Sequence, residues 1–152
     1  MGTRAHQAAM YVVYDSPLQM FCDNPSNYRK DPDFSKYIAS IPTTWDKTIA
    51  LEAKIGSYVV VAKKHDDNWY IAGMTDWESR NFEVPLSFLD QGIQYHITLL
   101  KDGANVANHA ADYHIGNGQT NASETLKLDM AQGGGFTAIL SPIPIVKNST
   151  RP

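Results

Sequence analysis

Asp76 and Glu78 are the two carboxylates in this sequence best spaced for chemistry. On a continuing strand their i, i+2 spacing would put both on one face, close enough for general acid–base work. The plainer reading is favoured: an Asp before a Trp at a strand end accepts backbone N–H groups and shapes the turn. The five histidines, His6, His65, His96, His109 and His114, show no metal-ligand spacing. His109 and His114 flank Asp112 in a polar stretch and read as solvated loop imidazoles. The single cysteine, Cys22, leaves no disulfide within this sequence and is too little for a zinc site. Its apolar helical surroundings predict a buried structural thiol. No serine-nucleophile motif is present. Neither a lysine–serine pair nor a helix follows Gly116-Asn117-Gly118, as a phosphate loop requires. Gly133-Gly134-Gly135 precedes a strand and reads as a tight turn. Trp45, Trp69 and Trp77, with eight tyrosines, could stack on sugars beside hydrogen-bonding groups. Core or interdomain packing is the favoured use, because Trp69 and Trp77 flank the most apolar strand.

These residues sit in a chain of 152 with 43% apolar and 19% charged residues, an ordinary globular composition. A net charge of −3 with scattered lysines and arginines excludes a nucleic-acid partner, which needs a clustered basic surface. Met1 to His6 lacks the apolar core of a signal peptide, and no apolar run approaches the roughly 18 residues of a membrane span.

The elements follow from periodicity. Thr3 is an N-cap for a helix carrying Ala5, Ala8, Ala9, Val12 and Val13 at helical spacing. Met10, Tyr11 and Tyr14 make that helix apolar nearly all the way round, so it asks for burial on more than one side, for which a single small domain has little room. Asp15-Ser16-Pro17 predicts a kink or a restart, with Leu18 to Cys22 as the second half. Asp23 to Asn27 reads as a turn cluster, and Asp31-Pro32-Asp33 opens a short helix through Phe34, Tyr37 and Ile38. From Trp45 onward strands recur at short intervals: Thr48 to Glu52, Ser57 to Lys64, Trp69 to Thr75, Arg80 to Phe88, Gln94 to Lys101, Ala110 to Ile115, Glu124 to Met130 and Phe136 to Leu140. Trp69 to Thr75 is the central strand, with Ser57 to Lys64 on one side and Phe82 to Phe88 on the other. Pro85 makes the Arg80 to Phe88 strand an edge or a bulge. The fold class is mainly β, an antiparallel sandwich of seven to eight strands preceded by an N-terminal helical segment of kinked helix plus short helix. The expected division is 1–44 helical, 45–141 β-domain and 142–152 a flexible tail.

Several segments carry a family resemblance. Thr3-Arg4-Ala5-His6-Gln7 and Tyr11-Val12-Val13-Tyr14-Asp15-Ser16-Pro17-Leu18-Gln19-Met20 resemble the last barrel helix of glycoside hydrolase family 97, bacterial α-glucosidases and α-galactosidases. The similarity continues through Asp23-Asn24-Pro25-Ser26-Asn27-Tyr28, Pro42-Thr43-Thr44-Trp45-Asp46 and Gly56-Ser57-Tyr58. It then takes in Trp69-Tyr70-Ile71-Ala72-Gly73-Met74-Thr75-Asp76-Trp77 and Gly133-Gly134-Gly135-Phe136. The resemblance implies that 1–44 closes a (β/α)₈ catalytic barrel and that 45–141 is the small C-terminal β-domain. It places Met1 inside a longer protein whose catalytic glutamates and calcium-binding carboxylates lie outside this chain, so no catalytic residue and no cofactor are expected here. A parent of this kind is expected in the periplasm of a Gram-negative bacterium or secreted from it. The implied partner is the barrel of the same parent chain, contacted through Trp45, Trp77 or Asp76. Two alternatives remain open: a carbohydrate-binding module that uses Trp45, Trp69 or Trp77 on an oligosaccharide, and a domain that self-associates through the N-terminal helix.

Overall fold

A computed structural model describes residues 2–20 and 23–144. Expectations for Cys22 as a buried thiol, and for the tail from residue 145, fall outside the described residues.

Three helices precede eight strands: α1 (Arg4–Val13), α2 (Pro25–Lys30), α3 (Pro32–Ala39), β1 (Lys47–Lys54), β2 (Tyr58–His65), β3 (Asn68–Thr75), β4 (Arg80–Pro85), β5 (Gln94–Asp102), β6 (Tyr113–Asn121), β7 (Thr125–Met130) and β8 (Gly135–Pro142). All pairings are antiparallel. Six strands form one sheet in the order β1-β2-β3-β8-β5-β6, and β4 with β7 forms a second. The mainly-β sandwich is therefore as the periodicity predicts, with eight strands.

Its pairing differs at the centre. Strand β3 lies between β2 and β8, with Gly73 opposite Phe136, and does not pair with the Phe82 segment. That segment, as β4, crosses to β7, setting Phe82 opposite Leu128 and Val84 opposite Leu126. Alternation in β4 gives it a single apolar face, which it spends on the inner side of a two-layer core. Phe82, Val84, Leu128 and Met130 meet Trp69, Ile71, Phe136 and Leu140 of the large sheet there. In this arrangement Pro85 lies at the end of β4, opposite Thr125, where its missing N–H is tolerated.

The outer face of the large sheet carries the helices. Ala5, Ala8, Ala9 and Val12 of α1 are fully buried in a second core with Tyr37, Ile38, Tyr70, Ala72 and Leu100. Helix α1 thus finds a neighbour inside this chain, contrary to the sequence expectation; its small side chains let its axis lie close over β3 and β8. Thr3 is the N-cap, accepting from the His6 amide at 3.1 Å. No kinked continuation exists through residue 20. The helix stops at Val13 because buried Lys63 fills its last turn, with Nζ 3.2 Å from the Val13 carbonyl and 2.5 Å from Asp15 Oδ1. The restart that Ser16-Pro17 offers does not form through residue 20, where the Ser16 hydroxyl donates to the Leu18 carbonyl at 2.9 Å. The expected turn at Asp23 to Asn27 instead opens α2, capped by Asn24 with Pro25 at its first position. Helix α3 is anchored by Tyr37, whose hydroxyl donates to the Thr137 carbonyl at 2.6 Å and whose burial pushes its ionisation far up.

Gly73 faces the buried Phe136 ring, and a Cβ at that position would come within 2.4 Å of its Cε1. Gly73→Ala should therefore cost about 1–3 kcal/mol through overpacking, read as a lower urea midpoint with an unchanged m-value. An unchanged midpoint would show that this core can give way.

Candidate functional site

The Asp76–Trp77 corner follows β3, where the chain leaves the large sheet for β4. Asp76 is held by its backbone on both sides: its N–H donates to the Ser57 carbonyl at 2.7 Å, and its carbonyl accepts from Gly133 at 2.6 Å. Its carboxylate accepts the Glu78 amide at 2.9 Å and the Arg80 guanidinium at 3.0 and 3.2 Å. Arg80 also bonds Glu78 Oε2 at 2.8 Å and Thr75 Oγ1 at 2.9 Å, while lying 5.1 Å over the Tyr58 ring. Both carboxylates thus clamp one cation. The hydrogen bond from the Glu78 amide, followed by Arg80, holds Asp76 below the usual carboxylate range. The corner is a clip that turns the chain.

The three tryptophans separate. Trp69 is buried between the sheets, 4.9 Å from the Phe88 ring. Trp45 is half-buried on the helical side, with Tyr70 edge-on at 5.2 Å and Lys63 Nζ 5.4 Å from its ring. Its indole N–H has no partner among the described residues. Trp77 is 68% exposed and rests on the Gly133 backbone, where a Cβ would meet its Cζ3 at 3.0 Å. It walls a hollow of about 450 Å³ beside Gly2 and Thr3, at the start of α1.

A second, more apolar hollow of about 560 Å³ runs between α1 and the β1–β2 turn, lined by His6, Tyr14, Ala53, Ile55, Val59 and Asp76. Its rim carries Tyr14 at 51% and Ile55 at 103% exposure, and beyond the end of α1 follow Leu18 at 75% and Met20 at 71%. Together with Trp77 these are the large apolar side chains that stay exposed among the described residues. Tyr14 and Ile55 lie on the hollow beside α1 and Trp77 on the one at its start, exposed apolar side chains of the kind that mark an interaction surface.

Residues 44–141 match the family model described as glycosyl-hydrolase 97 C-terminal, oligomerisation. The chain belongs to glycoside hydrolase family 97. It is 46% identical to a retaining α-galactosidase of Bacteroides thetaiotaomicron, over 89% of this chain and 20% of that protein. A probable retaining α-galactosidase of Streptomyces bingchenggensis is 27% identical over the same shares. Among solved structures, a family 97 enzyme from Pseudoalteromonas sp. strain K8, in complex with acarbose, superposes with a TM-score of 0.89 at 36% identity. That match covers 94% of this chain and 23% of the other. A β-arabinopyranosidase at 24% identity and TM-score 0.75 shares the fold. The chain therefore spans about a fifth of the length of the curated relatives it matches.

For a family 97 domain, the direction of the Asp76 shift matters. A glycosidase acid must be kept protonated near neutrality, so its ionisation is raised; that of Asp76 is lowered. The histidines do not converge either: His114 is on β6, and His109 lies in the preceding loop, donating its amide to the Asn105 carbonyl. No group of three or more metal-type side chains clusters among the described residues.

Two carboxylates that organise this family 97 domain escaped sequence reasoning. Asp31, visible only as a helix cap, also pairs with Arg4 and accepts from Tyr113 Oη at 2.6 Å. Burial first, then that carboxylate, pushes the Tyr113 phenol up to about 12. Asp102, legible only as the start of a polar loop, accepts from Thr3 Oγ1 at 2.5 Å, from the Ala131 amide at 3.0 Å and from the Gly135 amide at 3.2 Å.

Because the folded-state ionisation of Asp76 lies below its ordinary 3.8, its contribution is complete above that pH and is lost as pH falls through the lowered value. Arg80→Met should therefore reduce stability at neutral pH and flatten the acid limb of the stability profile below about pH 4. Urea titrations of both proteins across that limb check this; parallel limbs would show that the clip contributes nothing.

Proposed function

We propose that this chain is the non-catalytic C-terminal part of an α-glycoside-hydrolysing enzyme, and that it packs on and stabilises the catalytic barrel. The observation that carries the reading is the exposure of Tyr14, Ile55 and Trp77 on the two hollows beside α1, on a chain that spans about a fifth of its relatives. Helix α1 already gives its alanine face to the large sheet, so Tyr14, Ile55 and Trp77 are left for a second body. The resemblance of α1 to a last barrel helix supplies that body as the preceding part of the same protein. In this proposal the acid, the nucleophile and any calcium reside in that preceding part, and the parent cleaves α-glucosidic or α-galactosidic bonds. Burying a large apolar side chain contributes about 1.5–3 kcal/mol, so a few such contacts suffice to couple the stabilities of two domains.

Trp77 favours one second reading. Its exposed ring, beside the polar groups of Asp76 and Glu78, is a platform on which a sugar could stack.

Tyr14→Ser with Ile55→Ser, placed in the parent enzyme, should shorten its thermal half-life while leaving kcat/KM of the surviving enzyme unchanged. An unaltered half-life would overturn the packing reading. The chain alone should not hydrolyse aryl α-glucosides or α-galactosides; calcium-dependent turnover would place the chemistry here instead. Maltooligosaccharide titration followed by tryptophan fluorescence should leave the signal flat, and a saturable change abolished by Trp77→Ala would favour the sugar platform.

A further inference from the structure

The two sheets end in strands that differ sharply in how they are guarded. Exposed strand edges invite pairing with another chain, and proteins blunt them with charge, proline or bulges. Strand β1, one edge of the large sheet, carries Lys47, Glu52 and Lys54 and shifts register between Ala50 and Glu52. In the small sheet β4 carries Arg80, Glu83 and Pro85, and β7 carries Lys127 and Asp129. Strand β6, the other edge of the large sheet, has none of these devices. Its sequence from Tyr113 to Asn121 contains no lysine, arginine, aspartate, glutamate or proline. Its nine residues pair with β5 in unbroken register from Asp102–Tyr113 to Gln94–Asn121.

In an antiparallel ladder, alternate residues of an edge strand turn their N–H and C=O away from the neighbour. Among the described residues, no backbone group between 114 and 120 bonds to anything outside the sheet. Asn117, Gly118 and Gln119 are exposed, so side chains leave the centre of this edge open.

We propose that β6 is the strand through which two copies of this chain pair, antiparallel across a two-fold axis, joining their large sheets into one. The occupant is a second copy because the domain is matched by a family model for C-terminal oligomerisation. The uncharged strand also lies against itself without like-charge repulsion in any register, whereas registers of β1 that set Lys47 opposite Lys54, or of β4 that set Glu83 opposite itself, are penalised. A strand paired with its own copy must run antiparallel, and that gives the closed, isologous dimer most common among homo-oligomers. The inference rests on the oligomerisation domain and not on the barrel-packing reading, since β6 and the hollows beside α1 are separate surfaces.

Sedimentation of the full chain over a wide concentration range tests it. The unaltered chain should dimerise, and Asn117→Lys with Gln119→Lys, or Gln119→Lys alone, should raise the dimer dissociation constant at least about tenfold. Near-ultraviolet dichroism should confirm that the variants remain folded. Ala50→Lys, on the already guarded β1, should leave dimerisation unchanged. Amide exchange should be slow at alternate β6 positions in the concentrated protein and fast on dilution. A dimer that survives both lysine variants would place the interface elsewhere and overturn the β6 assignment. A chain that stays monomeric at every concentration would overturn it too, and would leave the half-life test of barrel packing unaffected.

Discussion

The contact between the alanine face of α1 and the large sheet is the constraint on which the rest of this structure depends. Ala5, Ala8 and Ala9 have no exposed surface, and small side chains at those positions let the helix lie close enough to seal the outer face of β3 and β8. Each end of the helix is fastened to that same sheet. At the start, the Thr3 side chain donates to Asp102 and the Thr3 amide donates to the Gly133 carbonyl at 2.9 Å. At the finish, Lys63 reaches from β2 to the Val13 carbonyl. Between them Arg4 meets Asp31, tying α1 to α3, while Tyr113 ties α3 to β6.

This seating leaves the domain with two unlike margins. The helix covers β3, β8 and part of β5, leaving the outer side of β1 and the β1–β2 turn open as one wall of an apolar hollow. At the opposite margin of the sheet β6 offers backbone instead of side chains. One margin suits a body that contributes its own apolar surface, and the other suits a strand. The Asp76–Arg80 clip belongs to neither margin. It fixes the path from one sheet to the other and places Trp77 on the Gly133 turn.

Strand existence was legible because alternation and turn residues are local signals. His65 to Asn68 and Asp90 to Gly92 mark turns where the structure has them. Partnership was less legible. Strand β3 pairs with β8, 61 to 71 positions away, and no periodicity in either strand names the other. The Phe82 segment looked like a neighbour because it comes next, yet its single apolar face suits the inner side of a second layer. Strand β6 begins at Tyr113 and extends through Gly116 and Gly118, residues that read as loop; pairing with Leu99 and Ile97 overrides their weak strand preference. Helix α2 opens with Asn24-Pro25, the same cap-and-proline signature that was readable at Asp31-Pro32. Of the candidate site, the turn-shaping part of Asp76 could be read from its place before Trp77. The parts played by Asp31 and Asp102 could not, since their partners lie 27 to 99 residues away.

The seating of α1 also sets an order of events in time. His6 meets the Gly134 carbonyl across 128 residues, so the helix is made first but can settle only when the last strand exists. At ribosomal rates of about 5–20 residues per second, that interval is roughly 6–26 s. Throughout it, a helix apolar on nearly every side leaves the ribosome with no sheet to rest on. A preceding domain that has already folded would offer it a first surface, and the completed β-domain would then close over its other face.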